Sequence, residues 1–287
     1  MIRALILALL LAPPALAQTL FDAGRVGMVE MYRPQSGEDD RPQLRLVRGG
    51  QRLWQTRAWG FEVLDPPLRT AVDTPMLTGI TGWSGGAYCC WTLHVFARTA
   101  QGLAHAGDIP LGKRSPEHLR LQEPDSTLIR IADPAHDFWD YVSSLGADIG
   151  PLVPFAWDGR RLAADAAAMR RASAADCPAV PTPDPGSWSR FNPGQPNPAT
   201  ELARASLCRI YIGQAASVDQ VLALFPAEER ALREATERQM KARLACSTHA
   251  AILRRINDRT PLIPTTCRQN GPDYTAVSTL LERRPSR

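Results

Sequence analysis

No later part of this 287-residue chain repeats the apolar run of Ala4 to Leu11, and nowhere does a run reach the roughly 20 residues that a spanning helix needs. No cysteine follows the small residues Ala15-Leu16-Ala17, so lipoprotein-type acylation has no thiol to use. No two cysteines stand at C-x-x-C spacing, which argues against structural zinc. The formal net charge is only +4, without the concentrated basic face of a nucleic-acid binder, and that class is excluded. Lysine is almost absent, with Lys113 and Lys241 standing among 33 basic residues.

What is present starts with an address. Arg3, the apolar run, Pro13-Pro14 and the small-x-small site ending at Ala17 read as a signal peptide over residues 1–17. The expected location of the mature chain is periplasmic or secreted. Arginine in place of lysine, with abundant Ala and Pro, suits a GC-rich bacterial genome. In an oxidising compartment the six cysteines Cys89, Cys90, Cys177, Cys208, Cys246 and Cys267 are expected to form disulfides.

The expected fold class is α+β, an N-terminal antiparallel β domain followed by a small helical region. Strand signals fill residues 18–177. Leu44 to Val47, Gly49-Gly50 and Leu53-Trp54 read as a hairpin. Tyr88 to Ala97 turns at Gln101-Gly102 and returns through Leu103 to Ile109, while Leu128 to Ile131 and Val153 to Trp157 are shorter strands, the latter closed by Asp158-Gly159. An Asp stands four residues before an aliphatic strand opening at Asp40, Asp73 and Asp125, a weak internal repeat. Prolines from Pro178 to Pro198 mark a linker over 178–198, although Trp188 and Phe191 suggest that it lies against a domain.

Residues 199–287 carry period-3.6 patterns. Thr200 is the expected cap of a first helix, and Pro226 the start of a long one along which Leu232, Ala235, Ala242, Cys246, Leu253 and Ile256 share a face. With Cys208 and Cys246 both on apolar faces, the expected bridges are Cys208 to Cys246 and Cys177 to Cys267. The interleaved charges of Arg230 to Lys241 read as a solvated face laced by i,i+4 pairs.

Three places could carry chemistry. Gly82-Trp83-Ser84-Gly85-Gly86 satisfies the G-x-S-x-G nucleophile elbow, with His94 and Asp133 as partners for a serine hydrolase, but a strand follows where the elbow needs a helix. Cys89 and Cys90 would point to opposite faces as strand residues or bond to each other, either as a binding platform or as a redox pair. Asp133, His136, Asp137 and Asp140 read as a capped turn docking Phe138 and Trp139 on the core, in preference to a metal cluster. His94 reads as a satisfied half-buried residue, and His105, His118 and His249 have no acidic or thiol partner at a meaningful spacing.

Ser84-Gly-Gly-Ala-Tyr-Cys-Cys-Trp91 resembles an S-G-G-A-H-C-C-[WF] core of uncharacterised secreted bacterial proteins, which are similar to degenerate FG-GAP/VCBS-type β-propeller repeats. The resemblance covers residues 36 to 170 and implies blade-like strands and a mutual Cys89–Cys90 bond. The calcium loop D-x-D-G-D of such repeats is largely missing, since only Glu38 and Asp39 offer a second carboxylate, so calcium is not supported and no cofactor is expected. Tyr88 replaces the histidine of that core. Together these features point to a non-catalytic binding or interaction protein with an unknown envelope or extracellular partner, contacting it through Ser84, Tyr88, Cys89, Cys90 and Trp91.

Overall fold

The computed structural model describes residues 17–34, 39–65, 68, 76–86, 89–116, 128–140, 147–180, 188 and 197–283. Asp73, Asp125, Tyr88, Phe191 and His118 lie outside them. Two four-stranded antiparallel meanders come first, β1 (Ala17–Asp22), β2 (Met28–Tyr32), β3 (Gln43–Arg48) and β4 (Gln51–Arg57), then β5 (Gly60–Val63), β6 (Met76–Trp83), β7 (Trp91–Thr99) and β8 (Gly102–Gly112). A three-stranded sheet follows, β9 (Ile129–Ala132), β10 (Leu152–Trp157) and β11 (Leu162–Ala164), with β10 central. The chain ends in helices α1 (Ala166–Arg171), α2 (Pro198–Tyr211), α3 (Val218–Leu222), α4 (Arg230–Cys246), α5 (Ala250–Ile256) and α6 (Ala276–Glu282). The fold is therefore α+β, with the sheets first. Among the described residues no helix is long and apolar enough to cross a membrane.

Local chemistry sets the elements. The β3–β4 hairpin turns on Gly49 and Gly50 at φ 57° and 77°, the left-handed pair that a tight two-residue hairpin needs. β7 is buried on both faces, and its alternation serves two cores. Leu93, Val95 and Ala97 face the main core, whereas Phe96 joins Ile80, Leu103, Val29, Leu44 and Leu46 in a second one between the two meanders. The main core runs on without a break through Trp139, Phe155, Leu207, Met240 and Leu281, so sheets and helices share it.

The helices depart from expectation in three ways. Asn197, with Pro198 at the first helical position, caps α2. Thr200 is buried inside the first turn and donates to Asp140 instead. The expected long helix is two helices. It begins at Arg230 after a 3-10 turn and breaks at Ser247, whose extended backbone separates α4 from α5. The interleaved charges do form i,i+4 pairs, Arg230 with Glu234 and Lys241 with Glu237.

The cysteine pairing is also corrected. Cys177 meets Cys208 with Cα atoms 5.6 Å apart, and Cys246 meets Cys267 at 4.6 Å. Cys208 is only half-buried beside the buried stripe of Leu207 and Tyr211, and Cys246 is the last residue of α4, so neither faces the other helix. Each instead takes the nearer loop. Trp188 of the proline-rich segment is buried and packs on Phe225 at 5.1 Å.

Candidate functional site

Ser84, Cys89 and Cys90 lie together in the loop joining β6 to β7. The Ser84 N–H donates to the Cys90 carbonyl at 3.0 Å, and the Cys90 N–H donates back to Ser84 Oγ at 3.1 Å. Cys89 and Cys90 are bonded to each other. Ser84 and Cys90 are exposed and Cys89 is half-buried. Trp83 and Trp91 oppose one another in register and stack at 6.2 Å, so the hairpin neck is aromatic. Trp59 is held beside it, its backbone N–H donating to the Trp83 carbonyl at 2.7 Å, and its ring lies where a side chain on Gly85 would collide. Trp59 is 52% exposed, although tryptophan is usually well covered. Sequence reading missed Trp59, because its place on the rim depends on β5 pairing with β6 and not on any local pattern.

The hydrolase partners are not brought together. The chain after Ser84 enters a strand, His94 is held by Asp108, and Asp133 lies under the helices. Asp133 accepts from the Ala135 N–H at 2.9 Å as the cap of a 3-10 turn over Pro134–His136, and its other oxygen accepts from Tyr211 and Ser247. Because the Tyr211 proton goes to Asp133, the 3.1 Å contact from His136 Nε2 to the Tyr211 oxygen makes His136 the donor there. Burial pushes His136 down to about 4 in spite of Asp133. Burial opposes ionisation of Asp133, and the two imidazoles and two hydroxyls outweigh it, holding the carboxyl below its ordinary range. The turn is clamped from α4. Arg243, 2% exposed, donates to the carbonyls of Ala135, Asp137 and Phe138 at 3.1, 2.5 and 3.1 Å, and Gln239 donates to that of Trp139 at 2.5 Å. Trp139 is fully buried. The capped-turn reading of residues 133–140 describes this arrangement for Trp139, which serves packing, whereas Phe138 stays half-buried outside the apolar core with the Lys113 ammonium 4.5 Å from its ring.

A second polar cluster lies between the meanders. His94 Nδ1 is 2.6 Å and His105 Nε2 2.8 Å from the same Asp108 oxygen, and His105 stacks on Trp54 at 4.3 Å. Burial works against the Asp108 charge, but the hydrogen bonds from His105 and His94 prevail and hold its carboxyl well below the usual carboxylate range. Residues 105 and 108 would face opposite sides of a regular strand. In β8 the register shifts, His94 opposing Asp108 and Phe96 opposing His105, so one extra residue brings both side chains to one face. Gly107, at φ 138°, sits at that bulge. A glycine inside a strand pattern was the available signal.

A cleft of about 520 Å³ opens beside the Cys177–Cys208 bridge, over Ile149, Met169, Pro178 and Tyr211, with Arg130 and Arg171 on its edge. Asp39, the candidate second carboxylate for calcium, has its oxygens taken by Arg41 and Arg57, each at 2.8 Å. No protein-family model, curated protein or solved structure matches the chain.

Proposed function

We propose that this is a non-catalytic periplasmic or secreted binding protein whose contact surface is the rim formed by Trp59, Trp83, Trp91 and the bonded Cys89–Cys90 pair. The observation that carries the reading is the half-exposed Trp59 ring lying over Gly85 beside that pair. Exposed aromatic patches mark interaction surfaces, and an indole with an apolar face and a wet edge suits a partner that is itself amphipathic. A sugar ring has this character, its C–H face apolar and its hydroxyls polar, and the envelope outside the cytoplasm is rich in glycan. The tandem four-stranded meanders support a blade-like reading of the repeats. Separate anchoring of Ser84, His94 and Asp133 supports the absence of hydrolase chemistry.

The test is an immobilised glycan array probed with the oxidised chain and with Trp59→Ala. Some glycans are expected to retain the native chain and release the variant. Retention of neither, or equal retention of both, would overturn the reading. The cleft supports a second reading, capture of a small amphipathic anion, because Arg130 and Arg171 line it without an ion pair among the described residues, while its carboxylates are engaged, Asp148 with Lys113 and Asp176 with the Ser173 N–H.

A further inference from the structure

The geometry points to a binding site for one divalent transition-metal cation, of the class of zinc, formed by His94 Nδ1, His105 Nε2 and a carboxylate oxygen of Asp108. The three ligand atoms lie within 4.8 Å of one another, and they form the one such group of His, Cys, Asp or Glu among the described residues. Two imidazoles and a carboxylate suit cations of borderline softness better than calcium or magnesium, which prefer oxygen alone. All six cysteines are paired, so no thiolate competes for the cation.

The surroundings fit such a site. His94 is 6% exposed, His105 20% and Asp108 44%, so the ligands run from the seam between the meanders out to solvent and leave a coordination position open to water. Gly82 makes room for the His94 ring, since a Cβ there would lie 2.8 Å from Nε2. Trp54 stacks on His105 and fixes its plane, as supporting groups around metal ligands do. Without a cation the Asp108 oxygen accepts a hydrogen bond from each ring at 2.6 and 2.8 Å. With ligand bonds of about 2.0–2.2 Å these atoms need to separate to roughly 3 Å, a small movement for the exposed Asp108. With the ring proton on its other nitrogen, each imidazole presents a lone pair to the cation.

Isothermal titration of the oxidised full-length chain with zinc chloride tests this. One zinc per chain is expected, with magnesium failing to compete. His105→Gln and Asp108→Asn should each weaken binding at least about 30-fold, ligand loss costing no less than the 10–100-fold typical of outer-sphere partners. His105 and Asp108 are the substitutions of choice because His94 is packed in the seam. Circular dichroism identifies a variant that fails to fold, in which case the other decides. Absence of saturable zinc binding by the native chain, or binding that survives unchanged in a folded variant, overturns the site and leaves a hydrogen-bonded cluster. Because Trp59 is no part of the cluster, zinc binding by Trp59→Ala separates this outcome from that of the glycan test.

Discussion

The Ser247 hydroxyl donates to the Asp133 carboxylate across 114 positions of the chain, joining the break between two helices to the turn after a strand. Tyr211 reaches the same carboxylate from α2. Around this point Arg243 holds the turn's carbonyls, so the helical region and the third sheet are pinned by polar contacts within their common apolar core. Such networks are costly to break in part, because each group left behind stays buried without a partner.

Arg243→Met keeps the bulk of the side chain and removes its donors. It is expected to lower unfolding free energy by about 3–5 kcal/mol, with several carbonyls left unpaired at about 1–3 kcal/mol each before relaxation. Urea denaturation at pH 7 measures it, and a loss under about 1 kcal/mol would contradict the clamp.

The bridges should differ in weight. Cys177–Cys208 spans 31 positions and Cys246–Cys267 spans 21, so chain entropy assigns each about 3–4 kcal/mol. Cys89–Cys90 closes almost no loop. Its double replacement by serine should leave thermal stability nearly intact, while replacing either long pair lowers it clearly. Peptide mapping should recover the Cys177–Cys208 and Cys246–Cys267 fragments, and a Cys208–Cys246 fragment would contradict the pairing.

Acid stability carries opposing contributions from adjacent residues. Burial depresses His136 to about 4, so its stabilising contribution is full above the unfolded histidine range and is lost as pH falls towards 4. Burial raises Asp137 to about 6 against the pull of Arg114, so its contribution is present at low pH and is lost as pH rises through 6. Burial also lowers His249, which adds to the His136 slope. Asp137→Asn removes the opposing arm. Between pH 7 and 4.5 this variant should lose about 2 kcal/mol more than the native chain, since each tenfold change in proton concentration across a displaced titration is worth about 1.4 kcal/mol. Equal losses in urea titrations at the two pH values would contradict the assignment.

Sequence pattern carried the elements that depend on neighbours in the chain. The Gly49-Gly50 hairpin, the strand character of β7 and the capped turn at Asp133 are all set by residues within a few positions. The break at Ser247 was hidden, because helical periodicity continues from Leu232 to Ile256 and the hydroxyl's partner lies in a distant turn. The pairing of Cys208 was hidden for a related reason, since a helical pattern does not say which loop reaches the edge of an apolar stripe. The meeting of His105 with Asp108 needed a bulge that shifts one strand against its partner. Ser84 and the adjacent cysteines were legible as a loop, but Trp59 joins them only through strand pairing.

The most direct measurement of the working face is hydroxyl-radical footprinting of the chain with and without a glycan that retains it. Trp59, Trp83 and Trp91 are expected to be protected, while Leu152 and Leu224, which are exposed to 58% and 47% and lie away from the hairpin, keep their reactivity. Protection of Leu152 and Pro178 at the cleft, with Trp59 unchanged, would contradict a contact surface on the tryptophan rim.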